Sequence, residues 1–268
     1  MHWNYEDFTR AFFELTKIDL SCYKERQMKR RIDSLINRHN YKHYEDYYRA
    51  LANDKDMLAS FIDYITINVS EFYRNANQWE TLKRDIIPML LEKHDKLKIW
   101  SAACSTGEEP YSLAMVLQEF LPSNHAKILA TDIDREVLKK AKKGIYLEKS
   151  LQSLPKSYVD KYFTIKDGFY IIDEKIKKSV EFRQHNLLMD PFPVGCHLII
   201  CRNVLIYFTE EAKNQLYLKF RESLVSEGVL FVGSTEHIIF PQKYGFESVR
   251  TFFYKKIKED NYQGKDKR

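Results

Sequence analysis

The chain has 268 residues, 44% of them hydrophobic and 14% aromatic, which is enough apolar material for one large domain or two modest ones. Its 43 Lys and Arg against 38 Asp and Glu leave a net charge of +5, too mild to mark a nucleic-acid binder. No apolar run reaches the roughly 18 residues of a membrane span, and Met1-His2-Trp3-Asn4-Tyr5 has neither the basic nor the apolar region of a secretion signal, so a cytoplasmic protein is expected.

Residues 1 to about 90 contain one proline, Pro88, and no glycine, while hydrophobics recur at helical spacing: Phe8, Phe12 and Leu15, then Met28, Ile32, Leu35 and Ile36, then Leu58, Phe61, Ile62 and Ile65. This pattern predicts an all-helical amino-terminal region. From Leu97 the texture changes to short apolar runs alternating with amphipathic helices: Lys98–Cys104, a helix through Met115 and Leu121, Ile128–Thr131, and a helix over Asp134–Lys143. Such alternation predicts an α/β fold, a doubly wound parallel sheet of the Rossmann-like kind. Between Gly144 and Val180 the alternation stops, and Ile165-Lys166-Asp167-Gly168-Phe169-Tyr170 carries the Asp-Gly hairpin signal. A small, mostly antiparallel β insert is expected at about 145–180. The pattern resumes with Val180–Arg183, His197–Cys201, a helix over about 209–225, Val229–Val232 and a closing pair around Phe246–Ile257. We divide the chain into a helical domain (1–75), an α/β domain (76–257) and a charged tail (258–268).

Four cysteines, Cys22, Cys104, Cys196 and Cys201, show neither CxxC nor zinc-type spacing, so reduced buried thiols and no metal are expected. The first strand runs into Ser105-Thr106-Gly107-Glu108-Glu109-Pro110, the place where doubly wound folds bind nucleotides. A dinucleotide fingerprint is absent, because Gly107 is the only glycine of this loop. Two carboxylates there would repel phosphate and suit a cationic ligand such as S-adenosylmethionine. Ser105 and Glu108 equally fit a helix-capping box. Asp132, at the end of the second strand, is placed where such folds bond ribose hydroxyls, and Asp134 reads as a helix N-cap.

Five strings, in order, resemble those of the CheR chemoreceptor methyltransferases: Asn68-Val69-Ser70-Glu71-Phe72-Tyr73-Arg74, Trp100 to Ser112, Ala130-Thr131-Asp132-Ile133-Asp134, His185-Asn186-Leu187-Leu188, and Cys201-Arg202-Asn203-Val204-Leu205-Ile206-Tyr207-Phe208. The resemblance covers nearly the whole chain. It implies a protein-glutamate O-methyltransferase that uses S-adenosyl-L-methionine, releases S-adenosyl-L-homocysteine and acts on the helical cytoplasmic bundle of membrane chemoreceptors in chemotaxis adaptation. It also implies that Asn68, Ser70, Arg74, Glu108, Asp132, Asn186, Leu187, Arg202 and Asn203 line the cofactor site, with Arg74 and Tyr207 at the reacting groups. No membrane insertion and no nucleic-acid partner are expected, and a monomer is the default.

The second helix gathers Lys24, Arg26, Lys29, Arg30, Arg31, Arg38 and Lys42 against Glu25 and Asp33. Such a run is often only a solvated face. Given the resemblance, Arg26, Lys29, Arg30 and Arg31 are candidates for attracting an acidic helical receptor. The β insert corresponds to the family's β-subdomain, which in some members holds a receptor tether, but it carries no equally clear motif. Two other readings compete: an RNA methyltransferase using the basic helix, which lacks an RNA-binding motif and the Pro-Pro-Tyr signal, and a non-catalytic binding module, which would need a broken site.

Overall fold

The computed structural model describes residues 3–122 and 125–258. All but Lys258 of the expected charged tail therefore lies outside the described residues, as do Met1 and His2. The chain forms two compact units, one made of the residues through Asn68 together with Tyr207–Gln215, the other of Val69–Ile206 and the residues from Leu216 on.

The first unit is helical: α1 (Tyr5–Thr16), α2 (Glu25–Arg38), α3 (Tyr44–Asn53) and α4 (Lys55–Thr66). A reciprocal capping box between Asn4 and Asp7 starts α1, and the Asp54 carboxylate receives the first N–H groups of α4, each cap stabilising its helix by about 1 kcal/mol. Apolar residues at helical spacing put Phe8, Phe12, Ile32, Leu51, Phe61 and Ile65 in the core. The Phe61 ring lies 5.1 Å from Phe12 and 6.0 Å from Phe8, and each such side chain contributes roughly 1.5–3 kcal/mol on burial. The late segment is stitched in by backbone: Lys24 N–H donates to the Tyr207 carbonyl (2.8 Å), Thr209 N–H to the Cys22 carbonyl (2.9 Å), and Tyr23 bridges Phe208 as an antiparallel pair.

The second unit opens with α5 (Ala76–Thr81), a wide turn at Leu82–Ile86 and α6 (Ile87–Leu91). A seven-stranded sheet follows, built from β1 (Leu97–Ala102), β2 (Ala126–Asp132), β6 (Val180–Gln184), β7 (Cys196–Cys201), β8 (Leu224–Val232), β9 (Phe246–Arg250) and β10 (Phe253–Lys256). Its spatial order is β6-β2-β1-β7-β8-β10-β9, parallel from β6 through β8, with β10 antiparallel to both its neighbours. Helices α7 (Glu108–Leu117) and α8 (Arg135–Lys143) pack on β2 and β6. The strands read as continuous apolar runs because both faces are covered; Ile99, Trp100, Ile199, Ile200, Leu230 and Phe231 are fully buried. The order reverses between β1 and β7, which is where open α/β sheets bind ligands.

The insert holds a three-stranded antiparallel sheet of β3 (Ile145–Tyr146), β5 (Phe169–Ile172) and β4 (Phe163–Lys166), in that spatial order. It is less β-rich than the Asp-Gly signal suggests: α9 (Lys156–Tyr162, seven residues) and α10 (Glu174–Lys178, five residues) outweigh strands of two, four and four residues. Pro155 starts α9 and the Asp173 carboxylate caps α10, local signals that the hydrophobic pattern masks. Helix α11 (Glu210–Ser223) passes into β8 at Leu224 with no loop between them.

Candidate active site at the carboxyl edge of the sheet

The register sets Ala102 of β1 between Thr131 of β2 and Cys201 of β7, so the loops after these three strands emerge side by side. The loop after β1 is bent by left-handed residues at every second position, Ala103 (φ 62°), Ser105 (φ 49°) and Gly107 (φ 94°). Gly107 is required twice over: its φ favours glycine, and a Cβ there would lie 2.9 Å from that of Ala141 on α8. The bends aim the Ser105 N–H at the Asp132 carboxylate (2.8 Å), whose other oxygen receives Asp134 N–H (3.0 Å). Asp132 is buried, and burial pushes its pKa up to about 6.

The Ser105/Glu108 capping box does not form, because Gly107 is the N-cap of α7. The Glu108 carboxylate instead accepts from Thr106 Oγ1 (2.9 and 2.7 Å) and from Ser70, and burial raises its pKa. Ser105 Oγ is left buried with no partner, a position native proteins seldom tolerate without a ligand or water. Asp134 does cap α8, accepting from Glu136 N–H at 2.7 Å.

Arg74 sits in a turn between two left-handed residues, Tyr73 (φ 57°) and Asn75 (φ 62°), a conformation that is a true outlier for a bulky tyrosine. The turn is pinned on every side. Tyr73 N–H donates to Ser112 Oγ (3.0 Å), and the Arg74 carbonyl accepts from Trp79 Nε1 (3.1 Å) and from Arg202 Nη2 (2.8 Å). The same Arg202 nitrogen donates to Asn75 Oδ1 (3.0 Å) and Gln78 Oε1 (2.7 Å), while Nη1 reaches Glu109 Oε2 at 3.5 Å. Arg202 is thus a buried fork over the Phe231 ring (4.7 Å), holding the turn that carries Arg74. Glu109 also accepts from Ser101 Oγ (2.8 Å).

Asn186 and Leu187 follow β6, where His185 N–H donates to the Asp132 carbonyl (2.9 Å). Leu187 is buried, and Asn186 Oδ1 accepts from Leu188 N–H (3.0 Å). Asn203 follows β7 with φ 60°. The second unit therefore brings Glu108 and Asp132 to neighbouring strand ends, with Ser70 of the segment before α5 bonded to Glu108, together with the loops of Arg74, Asn186 and Asn203. Asn68 and Tyr207 belong to the first unit: Asn68 Nδ2 donates to Asp63 Oδ1 (3.2 Å) and Thr66 Oγ1 (3.0 Å), and Tyr207 ends a short 3₁₀ turn. On α2, Arg26, Lys29 and Arg30 are exposed beside Asp33, Ser34 and Asn37, lining a shallow hollow of about 590 Å³. Arg31 departs from this group, because its guanidinium donates to the Tyr64 carbonyl and stacks on that ring at 4.5 Å.

One buried carboxylate lies outside the sequence motifs. Glu236 is buried just after β8, and its Oε2 accepts from Asn203 N–H (2.7 Å) and Gly233 N–H (2.8 Å), its Oε1 from Ile206 N–H (3.2 Å). The signal was present in Gly233-Ser234-Thr235-Glu236, an acidic residue at a fourth strand end, but no motif flagged it. The four cysteines form no disulfide, and Cys22 is only half-buried. Among the described residues no cluster of three or more His, Cys, Asp or Glu could hold a metal ion, and no helix is long and apolar enough to cross a membrane.

An acid-lined strand edge with an unpartnered buried hydroxyl fits the adenosine and amino groups of S-adenosylmethionine. The comparisons agree with that chemistry. Residues 68–253 match the family model described as "CheR methyltransferase, SAM binding domain" and residues 4–66 that described as "CheR methyltransferase, all-alpha domain". A chemotaxis protein methyltransferase of Listeria monocytogenes is 46% identical over 252 residues, covering 94% of this chain and 96% of that one. Its counterpart in Listeria innocua is 44% identical with the same coverage, and one from Borreliella burgdorferi is 37% identical over 82% of this chain and 83% of its own.

Proposed function

We propose, since this chain belongs to the CheR methyltransferase family and S-adenosylmethionine is its cofactor, that it methylates glutamate side chains of chemoreceptors. The single observation that carries this reading is the pair of strand-end carboxylates Glu108 and Asp132, with Ser70 bonded to Glu108, in a chain 46% identical to a chemotaxis protein methyltransferase.

When bound, the cofactor supplies an electrophilic methyl group. A substrate glutamate, with an ordinary pKa near ~4.3, is already the anion at neutral pH and needs no general base. Its carboxylate oxygen would form the O–CH3 bond as the S–CH3 bond broke, with the electron pair left on sulfur. The products are a glutamyl methyl ester and S-adenosylhomocysteine. The protein's work is then alignment, bringing oxygen and methyl carbon to roughly 3–3.5 Å in line, and exclusion of water.

Asp132 accepts from the ribose hydroxyls and Glu108 from the cationic amino-acid end. Asn186 and Leu187 meet the adenine, one by hydrogen bonds and the other by its apolar face. Arg74 forks onto a carboxylate of cofactor or substrate. Asn203 completes the cofactor shell, and Arg202 serves it from beneath through the Arg74 turn. By the family resemblance, Asn68 joins the cofactor site and Tyr207 orients the substrate carboxylate. Exposed Arg26, Lys29 and Arg30 supply a positive face for an acidic helical bundle in the cytoplasm.

The test is incubation with radiolabelled S-adenosylmethionine and membranes containing chemoreceptors. Label on a receptor-sized band, released as methanol by mild base, is expected; label that survives base, or that follows RNA, overturns the substrate assignment.

A further inference from the structure

Asn203 adopts a left-handed conformation (φ 60°), one that asparagine enters more readily than other side-chain-bearing residues, and its backbone N–H is held there. The group that holds it is one side chain. Glu236 accepts from the N–H of Asn203 on one oxygen and from the N–H of Ile206 on the other, so a single rigid carboxylate spans the turn after β7. Its first oxygen also takes the Gly233 N–H, tying that turn to the end of β8. The fit allows no extra atom: a Cβ on Gly233 would stand 2.4 Å from Glu236 Oε2 and 2.9 Å from the Asn203 nitrogen. Charge-assisted bonds of this kind are about twice as strong as neutral ones, and three converge on one buried group.

We propose that Glu236 is a positioning residue that holds Asn203 in the left-handed turn from which its side chain meets the cofactor. Glu236 does not itself touch the cofactor, and the inference rests on the assignment of Asn203 to the cofactor site. Glutamine cannot replace it, because an amide offers one acceptor oxygen and one donor NH2. Whichever way it turns, its NH2 faces a backbone N–H.

Two readouts on the full chain test this, neither of them turnover. In the protein without cofactor, the Asn203 and Ile206 amides exchange slowly with solvent deuterium, and Glu236→Gln accelerates both. By calorimetry with S-adenosylhomocysteine, Glu236→Gln and Asn203→Ala each weaken binding about tenfold or more, and the double variant binds no more weakly than Asn203→Ala alone, the non-additivity expected of a residue that acts through another. Should Glu236→Gln fail to fold, Gly233→Ala, which keeps the carboxylate but displaces it, is expected to show the same pair of effects. Wild-type affinity in E236Q, or a loss that adds fully to that of N203A, overturns the proposal while leaving the cofactor site standing. Wild-type affinity in N203A overturns it by removing its footing, and a wild-type chain that does not bind S-adenosylhomocysteine strikes the cofactor site itself.

Discussion

Arg202 Nη2 lies 2.8 Å from the carbonyl oxygen of Arg74, so the charged head of one arginine fixes the backbone of another. Arg202 engages the Arg74 carbonyl, while the Arg74 guanidinium itself donates to the Val69 carbonyl at 3.4 Å. Replacing Arg202 with lysine keeps the charge but loses the planar fork that serves Arg74, Asn75, Gln78 and Glu109 at once. We expect Arg202→Lys to destabilise the fold by roughly 3–5 kcal/mol, the range for a broken buried ion pair, and to lower affinity for S-adenosylhomocysteine. Thermal unfolding and calorimetry check both; an unchanged melting curve contradicts the keystone role.

Arg74 carries its charge out of that pinned turn. Arg74→Ala should leave the melting curve near wild type, since its guanidinium makes one long contact with the protein, and should cut methyl transfer by about a hundredfold or more, on the order of losing 3 kcal/mol of charged hydrogen bonding. Near-normal turnover would remove it from the reacting groups.

Asp132 predicts a pH dependence. Burial holds its pKa at about 6, and only the ionised form accepts well from two hydroxyls. Affinity for S-adenosylhomocysteine should therefore fall as pH drops below about 6, by roughly tenfold one unit lower. The protein without cofactor moves the other way through this group: a carboxyl whose pKa is raised on folding contributes most below the unfolded value and loses that contribution as pH rises through about 6. Asp132→Asn should bind weakly with no step near pH 6; a step that persists in calorimetry assigns it to Glu108 or Glu236, whose pKa values burial also raises.

The exposed face of α2 makes a salt-dependent prediction. Changing Arg26, Lys29 and Arg30 to alanine should raise the apparent KM for receptor membranes severalfold and flatten its dependence on ionic strength, with cofactor affinity untouched. Kinetics at low and high salt that match wild type would return α2 to an ordinary solvated surface.

The legible features were those written in local pattern. Helical spacing of Phe8, Phe12 and Phe61, apolar runs such as Leu198–Cys201, and Asp134 before a helix all speak through neighbours in sequence. The network of Arg202 was not legible, because its partners lie 93 to 128 positions away. Ser105 and Glu108 had the spacing of a capping box, yet φ values of 49° and 94° at Ser105 and Gly107 turn the loop toward Asp132 instead. Glu236 was unreadable for a related reason: an acidic residue after a strand looks like any solvated loop position until the N–H groups of Asn203 and Ile206 are found on its oxygens.

The stitching of Tyr207–Thr209 onto Cys22–Lys24 sets an order on biosynthesis. Helices α1 to α4 leave the ribosome early, but the segment that completes their unit is made about 180 residues later, roughly ten to forty seconds at ordinary elongation rates. During that interval the nascent helical unit exposes the backbone of Cys22 and Lys24 and one side of Tyr23, whose ring otherwise lies 4.9 Å from Phe208. A chain cut before Tyr207 would lack those backbone partners of Cys22 and Lys24, so the amino-terminal unit is completed only by residues made long after its helices.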